Sequence, residues 1–143
     1  MIKISMKQTL TGLVALMFSL LAAGAPVLDT SKTLLCASLE VLECVDGADC
    51  EAVFPEEVGA PTFMRIDIRK KEIKASVERP PSLIDHIEEI EDRIVLQGVE
   101  DGRDDELDGA GWTISIHKGT GRMVATVAVD QAAIIIFGAC TEI

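Results

Sequence analysis

The sequence predicts an all-β fold: an antiparallel meander of about eight strands, curled into a small closed or partly open barrel. Three observations carry this. Apolar and polar residues alternate with period two over most of the chain after Thr33. Short turn-forming steps (Lys70-Lys71, Glu91-Asp92, Gly119-Thr-Gly121, Asp130-Gln131) separate the alternating runs. Cysteines stand near both ends of the alternating region, at Cys36 and Cys140, where barrel closure would bring the first and last strands side by side.

The first strand is read from Leu35, Ala37, Leu39 and Val41, which alternate with Cys36, Ser38, Glu40 and Leu42. Met64, Ile66 and Ile68 alternate with Arg65, Asp67 and Arg69; Ile73, Ala75 and Val77 alternate with Lys74, Ser76 and Glu78. These two runs form a hairpin candidate with one charged face toward water and one face in a core. Ile94–Val99 is a short strand. Trp112, Ile114 and Ile116 mark the next, and Met123, Ala125, Val127 and Val129 the one after. Ala132–Phe137 is apolar on both faces, the composition of a strand covered on both sides. The inward set is expected to include Met64, Ile66, Ile68, Ile73, Val77, Ile114, Ile116, Ala125 and Val127.

Ser82–Asp92 admits two readings. Ile84, Ile87 and Ile90 suit a helix, Pro80-Pro81 precedes it, and Ser82 with Asp85 resembles a capping box. A helix at 82–92 would make the fold α+β. The strand reading is preferred, because every neighbour is a strand and the connections are short.

The N-terminal region has a different design. Lys3 and Lys7 are the only charges before Asp29; an apolar run follows from Leu10 and ends in Ala22-Ala-Gly-Ala25. A basic start, an apolar centre and a small-residue exit are the parts of a secretory signal. The expected organisation is therefore a signal peptide at 1–24, a disordered lead at 25–33 and a single β domain at 34–143. Pro26 and the Ala/Gly exit argue against a retained membrane anchor. The address is periplasmic or secreted, with no stable membrane insertion after cleavage.

Cleavage would remove two lysines and no acids, taking the charge two units below the −11 of the full chain. Such a surface repels nucleic acid and anionic lipid. One Trp, four Phe and no Tyr leave no aromatic platform for stacking bases or sugars. The core must instead be built from Ile, Val, Leu and Ala.

All four cysteines, Cys36, Cys44, Cys50 and Cys140, lie beyond the signal. An even count in a small exported domain reads as two disulfides, with three possible pairings. Cys44–Cys50 with Cys36–Cys140 is preferred: the first closes a short loop with an Asp-Gly turn, and the second joins the start of the domain to its end. No Cys-x-x-Cys is present, which removes the usual redox and zinc motifs.

Leu35-Cys-Ala37, the Cys44–Cys50 loop, Leu96-Gln-Gly-Val-Glu100, Gly119-Thr-Gly-Arg122 and Phe137-Gly-Ala-Cys140 together resemble a group of small exported proteobacterial proteins with no assigned function. The resemblance covers most of the chain after the signal. It implies a periplasmic address and carries over no catalytic residue. The Gly-x-Trp motif of lipocalins is not present, since Gly111 directly precedes Trp112.

Few groupings suggest chemistry. Asp104, Glu106 and Asp108 followed by Gly109 look like half of a calcium loop, but Ser115 stands where a bidentate Glu is needed. A solvated loop without tight metal is expected. His86 and His117 are the only histidines and are read as exposed or salt-bridged. No nucleophile elbow or phosphate-binding glycine loop appears, so no catalytic residue, cofactor or metal is expected. Trp112, opening a strand after three small residues, is the candidate pocket residue.

The expected function is a non-enzymatic binding module for a small apolar ligand. The alternative is a structural or inhibitory partner of another envelope protein, and an exported hydrolase ranks third. A hollow barrel favours the first, a filled barrel with an exposed patch the second, and convergent polar groups in a cleft the third.

Overall fold

A computed structural model of the chain describes residues 27–101 and 109–143. The expected signal at 1–24 and the calcium-like residues Asp104, Glu106 and Asp108 lie outside the described residues.

Among the described residues, ten strands form one antiparallel sheet: β1 Leu34–Val45, β2 Cys50–Val53, β3 Phe63–Asp67, β4 Glu72–Lys74, β5 Ser82–Leu83, β6 His86–Ile90, β7 Arg93–Glu100, β8 Ala110–His117, β9 Arg122–Val129 and β10 Ala132–Glu142. The fold is all-β, and the 82–92 segment is strand rather than helix. The count exceeds eight for two reasons. The chain leaving the Cys44–Cys50 loop pairs back onto β1 as β2, and Ser82–Asp92 breaks into β5 and β6.

The hydrogen-bonded order is β5-β4-β3-β1-β10-β9-β8-β7-β6, with β2 beside the far half of β1. First and last strands are therefore neighbours in the middle of the sheet. Its two edges, β5 and β6, are consecutive in sequence, so the chain bridges the gap itself. Ile84 N–H donates to Lys71 O at one edge, and Asp85 N–H donates to Gln97 O on β7 at the other, each at 2.9 Å. The result is a curled sheet that forms a partly open barrel, its two edges joined by the short Ile84-Asp85 connection.

The inward faces follow from parity. Cross-strand register places three rows of side chains across β7 to β10. One row is Gly98, Trp112, Val127 and Ile134; the next is Leu96, Ile114, Ala125 and Ile136; the third is Ile94, Ile116, Met123 and Gly138. Leu34, Cys36, Val41, Met64, Ile66, Ile73, Ile84 and Cys140 complete the core, and no buried residue among those described is polar. Burying each large aliphatic contributes about 1.5–3 kcal/mol.

The expected inward set holds with one correction. Val77 is 91% exposed, because β4 ends at Lys74 and the chain leaves the sheet before the alternation is used up. In β1 the parity changes partway. A bulge between Ser38 and Glu40 inserts one residue, so Cys36 and Val41 both face inward while Leu39 is 74% exposed. β10 is not covered on both sides: Ile136 is buried, but Phe137 on the outer face is 39% exposed.

The structure joins Cys36 to Cys140 and Cys44 to Cys50. Both are cross-strand links between directly opposed residues, β1 to β10 and β1 to β2, with Cα–Cα distances of 4.0 and 4.1 Å. From Val27 onward, the segment read as a disordered lead is tied down. Leu28 N–H donates to Lys118 O, and Glu142 of β10 takes Asp29 N–H on one carboxylate oxygen and Lys32 Nζ on the other, at 2.5 and 2.6 Å. These hydrogen bonds, the Lys32 ammonium first, hold the Glu142 carboxyl below its ordinary range.

Candidate functional site

The rows are not equally filled. Ile94, Ile116 and Met123 are at most 1% exposed, and Met123 lies over Gly138, where a side chain would meet its Cε. That end is solid. Toward the opposite end a cavity of about 300 Å³ opens between the two walls of the barrel. Met64 and Ile73 line it from β3 and β4; Ile114, Ala125, Val127 and Ile136 line it from β8, β9 and β10. Each stands there because its strand puts every second residue inward. Ala125 is the small member of a row otherwise made of Leu and Ile, which is one reason the space is not filled.

Trp112, the candidate pocket residue, stands on the cavity wall. Its indole lies across Gly98, the residue opposite it on β7. A Cβ at position 98 would overlap Cζ2 and Cε2 of the ring and crowd Leu83 O. Gly98 thus lets the ring lie flat against the sheet. Indole Nε1 is shielded from solvent and has no hydrogen-bond partner among the described residues.

The polar residues that line it are Arg79, Ser82, Glu100 and Thr126 of β9. Arg79 and Pro80 come from the β4–β5 connection, Ser82 from β5 and Glu100 from the end of β7. The Ser82 hydroxyl donates to the Glu100 carboxylate, linking β5 to the end of β7 across the mouth. An apolar interior with a few polar groups at its opening is the usual form of a small-molecule site.

A second depression, about 310 Å³, lies on the outer face between Leu35, Phe63, Arg65, Lys74 and Val77. It is a furrow on the outside of one sheet wall, and the barrel does not enclose it.

The remaining candidates do not converge on the cavity. His117 Nε2 is 2.8 Å from Asp92 and its Nδ1 accepts from Gly119 N–H, so the ring fixes the β8–β9 turn. His86 is exposed, with Glu88 at 3.7 Å. Gly119-Thr-Gly121 is the turn itself: both Thr120 and Gly121 N–H point to His117 O. Among the described residues, no three His, Cys, Asp or Glu side chains group as a metal site, and no helix is long and apolar enough to cross a membrane.

Sequence reasoning selected Trp112 but missed Arg79, Ser82 and Glu100, which meet only through barrel curvature. One signal was present: small residues at inward positions, Gly98 and Ala125, beside large ones. No known family, curated protein or solved structure matches the chain.

Proposed function

We propose that the protein is a non-enzymatic carrier or sensor that holds a small apolar molecule in the open end of its barrel, in the periplasm or outside the cell. The carrying observation is the cavity of about 300 Å³ lined mainly by apolar residues and Trp112, with few polar residues beside them. A volume near 300 Å³ is at the lower end of ligand sites, which suits a compact ligand. Two disulfides, one joining residues 104 positions apart, are in keeping with an oxidising compartment. The basic-apolar-small pattern of residues 1–24 supports the same address. The acidic surface fits neither nucleic acid nor anionic lipid as a partner.

One observation favours the second reading, an envelope-protein partner. On the outer face of the sheet, Phe137 and Val124 stand opposite each other on β10 and β9, each 39% exposed, close to the exposed Leu39. Native mass spectrometry of protein isolated gently from its own envelope separates the two. A retained small mass supports the carrier reading. A retained polypeptide supports the partner reading. Loss of both, together with no binding of added apolar compounds, would contradict each.

A further inference from the structure

We propose that the furrow on the outer face beside β3 is a second binding site, for a free carboxylate with a short apolar body. It is separate from the barrel cavity and does not depend on the carrier reading. The furrow exists because a hairpin stops short. β3 and β4 pair at Asp67 and Glu72, at Ile66 and Ile73, and at Arg65 and Lys74, and there pairing ends. Ala75 to Val77 leave the sheet instead of lying opposite Met64 and Phe63. The depression of about 310 Å³ has exposed Phe63 and Val77 among its lining, with Leu35 of β1 beside them.

The last pair of the hairpin supplies the charge. Ile66 and Ile73 face the core, so Arg65 and Lys74 stand directly opposite each other on the outer face. Like charges in that position destabilise a strand pair. An anion held between them replaces the repulsion with two attractions. Among the described residues, Lys32, Lys70 and Lys118 have carboxylate partners, whereas Arg65 and Lys74 form no ion pair. Asp67 and Glu72, next along the same face, are register partners of each other, and Asp67 is engaged by Lys70. No described acid lines the furrow.

The ligand class follows. Charges are screened over about 8 Å at physiological ionic strength, so at the furrow the two cations outweigh the net −11 spread over the chain. That net charge still disfavours multiply charged anions more than a single carboxylate. A guanidinium takes a carboxylate through two parallel hydrogen bonds, and the apolar lining takes the carbon body. A volume near 310 Å³ is that of a small-molecule site.

The test uses the full disulfide-bonded protein with octanoate and methyl octanoate as probes. Octanoate should shift the backbone amide resonances of Phe63–Arg65 and Lys74–Val77. The neutral ester should need about tenfold higher concentration to do so. Titration calorimetry should show octanoate binding about tenfold more weakly to Arg65→Gln/Lys74→Gln, which removes two exposed charge contacts. Both residues are exposed, so this variant keeps the fold. Ala125→Leu, which fills the barrel cavity, should leave octanoate binding unchanged. Equal octanoate affinity in the wild type and the double variant overturns the site and leaves the carrier reading standing. Octanoate binding lost in Ala125→Leu, with the furrow amides unmoved, places the probe in the cavity and also overturns it. Two other occupants have their own signatures, and either overturns the small-ligand assignment. Binding to phosphatidylglycerol vesicles without binding of octanoate makes the furrow a membrane contact. Furrow amides that move with protein concentration alone make it an interface between copies.

Discussion

The Trp112 indole lies across Gly98, its register partner on the adjacent strand, and the glycine is what gives the ring its place on the cavity wall. A methyl group at 98 overlaps two ring atoms and approaches Leu83 O at 2.7 Å. The backbone carbonyl belongs to β5, at the sheet edge, so Gly98→Ala strains both the ring and the closure of the barrel. The expected cost is about 1–3 kcal/mol in urea unfolding, in the range of overpacked sites. Emission of the single tryptophan should also shift to longer wavelength as the ring leaves the wall.

The disulfides should differ in weight. Cys36–Cys140 spans 104 positions and Cys44–Cys50 spans 6. On the loop-entropy account the long link contributes about 4–5 kcal/mol and the short one about 2–3. Paired Cys→Ala replacement, followed by denaturant unfolding, should therefore cost more at 36 and 140 than at 44 and 50. Peptide mapping without reductant should recover these pairs.

Ile66 and Asp67 are adjacent on β3 and face opposite ways. Ile66 is fully buried, so Ile66→Asp places an unpaired carboxylate in an aliphatic core and should unfold the domain, whose whole stability is about 5–15 kcal/mol. Asp67 accepts Lys70 N–H at 3.0 Å on Oδ1. A serine can accept the same bond, so Asp67→Ser should cost less than about 1 kcal/mol. Circular dichroism and urea titration of the two variants check the strand's parity.

That parity was readable in β3, β8 and β9, where alternate residues are cleanly apolar and polar and the turns between strands are short. It was not readable in β1. The bulge before Glu40 exchanges the faces within one strand, and no residue there signals an inserted position. Nor could Val77 be placed from the pattern. Its alternation continues, but strand pairing ends at Lys74, and a partner's length is not written in a strand's own sequence. The cavity was half readable. Trp112 stood out as the only large aromatic among small neighbours. Arg79, Ser82 and Glu100 are ordinary surface residue types, and only the curl of the sheet brings them to one rim.

Stability should fall at both pH extremes through the clamp on Glu142. Its carboxyl is held below the ordinary range by Lys32 and by Asp29 N–H. Asp29, through the Ser31 hydrogen bonds, and Asp67, through the Lys70 amide, are lowered as well. A lowered carboxylate contributes stability that is present above its unfolded value and lost as pH falls through its folded one, so the loss should begin below about pH 4.5. Lys32 is raised, by Glu142 first. Its contribution is complete below the unfolded lysine value and is lost as pH rises beyond about 10.5. Thermal melts across pH should show a plateau between these limits, and Glu142→Gln should flatten the acid limb.

The most direct test of the carrier account is energy transfer from Trp112 to an anilinonaphthalene dye, titrated into the wild type and into Ala125→Leu. Ala125 is 3% exposed and lines the cavity, so the larger side chain fills the space where the ligand would lie. In a tightly filled core such a change costs about 1–3 kcal/mol; next to a void it should cost less. The account predicts saturable one-to-one transfer in the wild type, displaced by methyl octanoate, and its loss in an Ala125→Leu protein that stays folded. Equal transfer in both folded proteins, or none that methyl octanoate displaces, would contradict it.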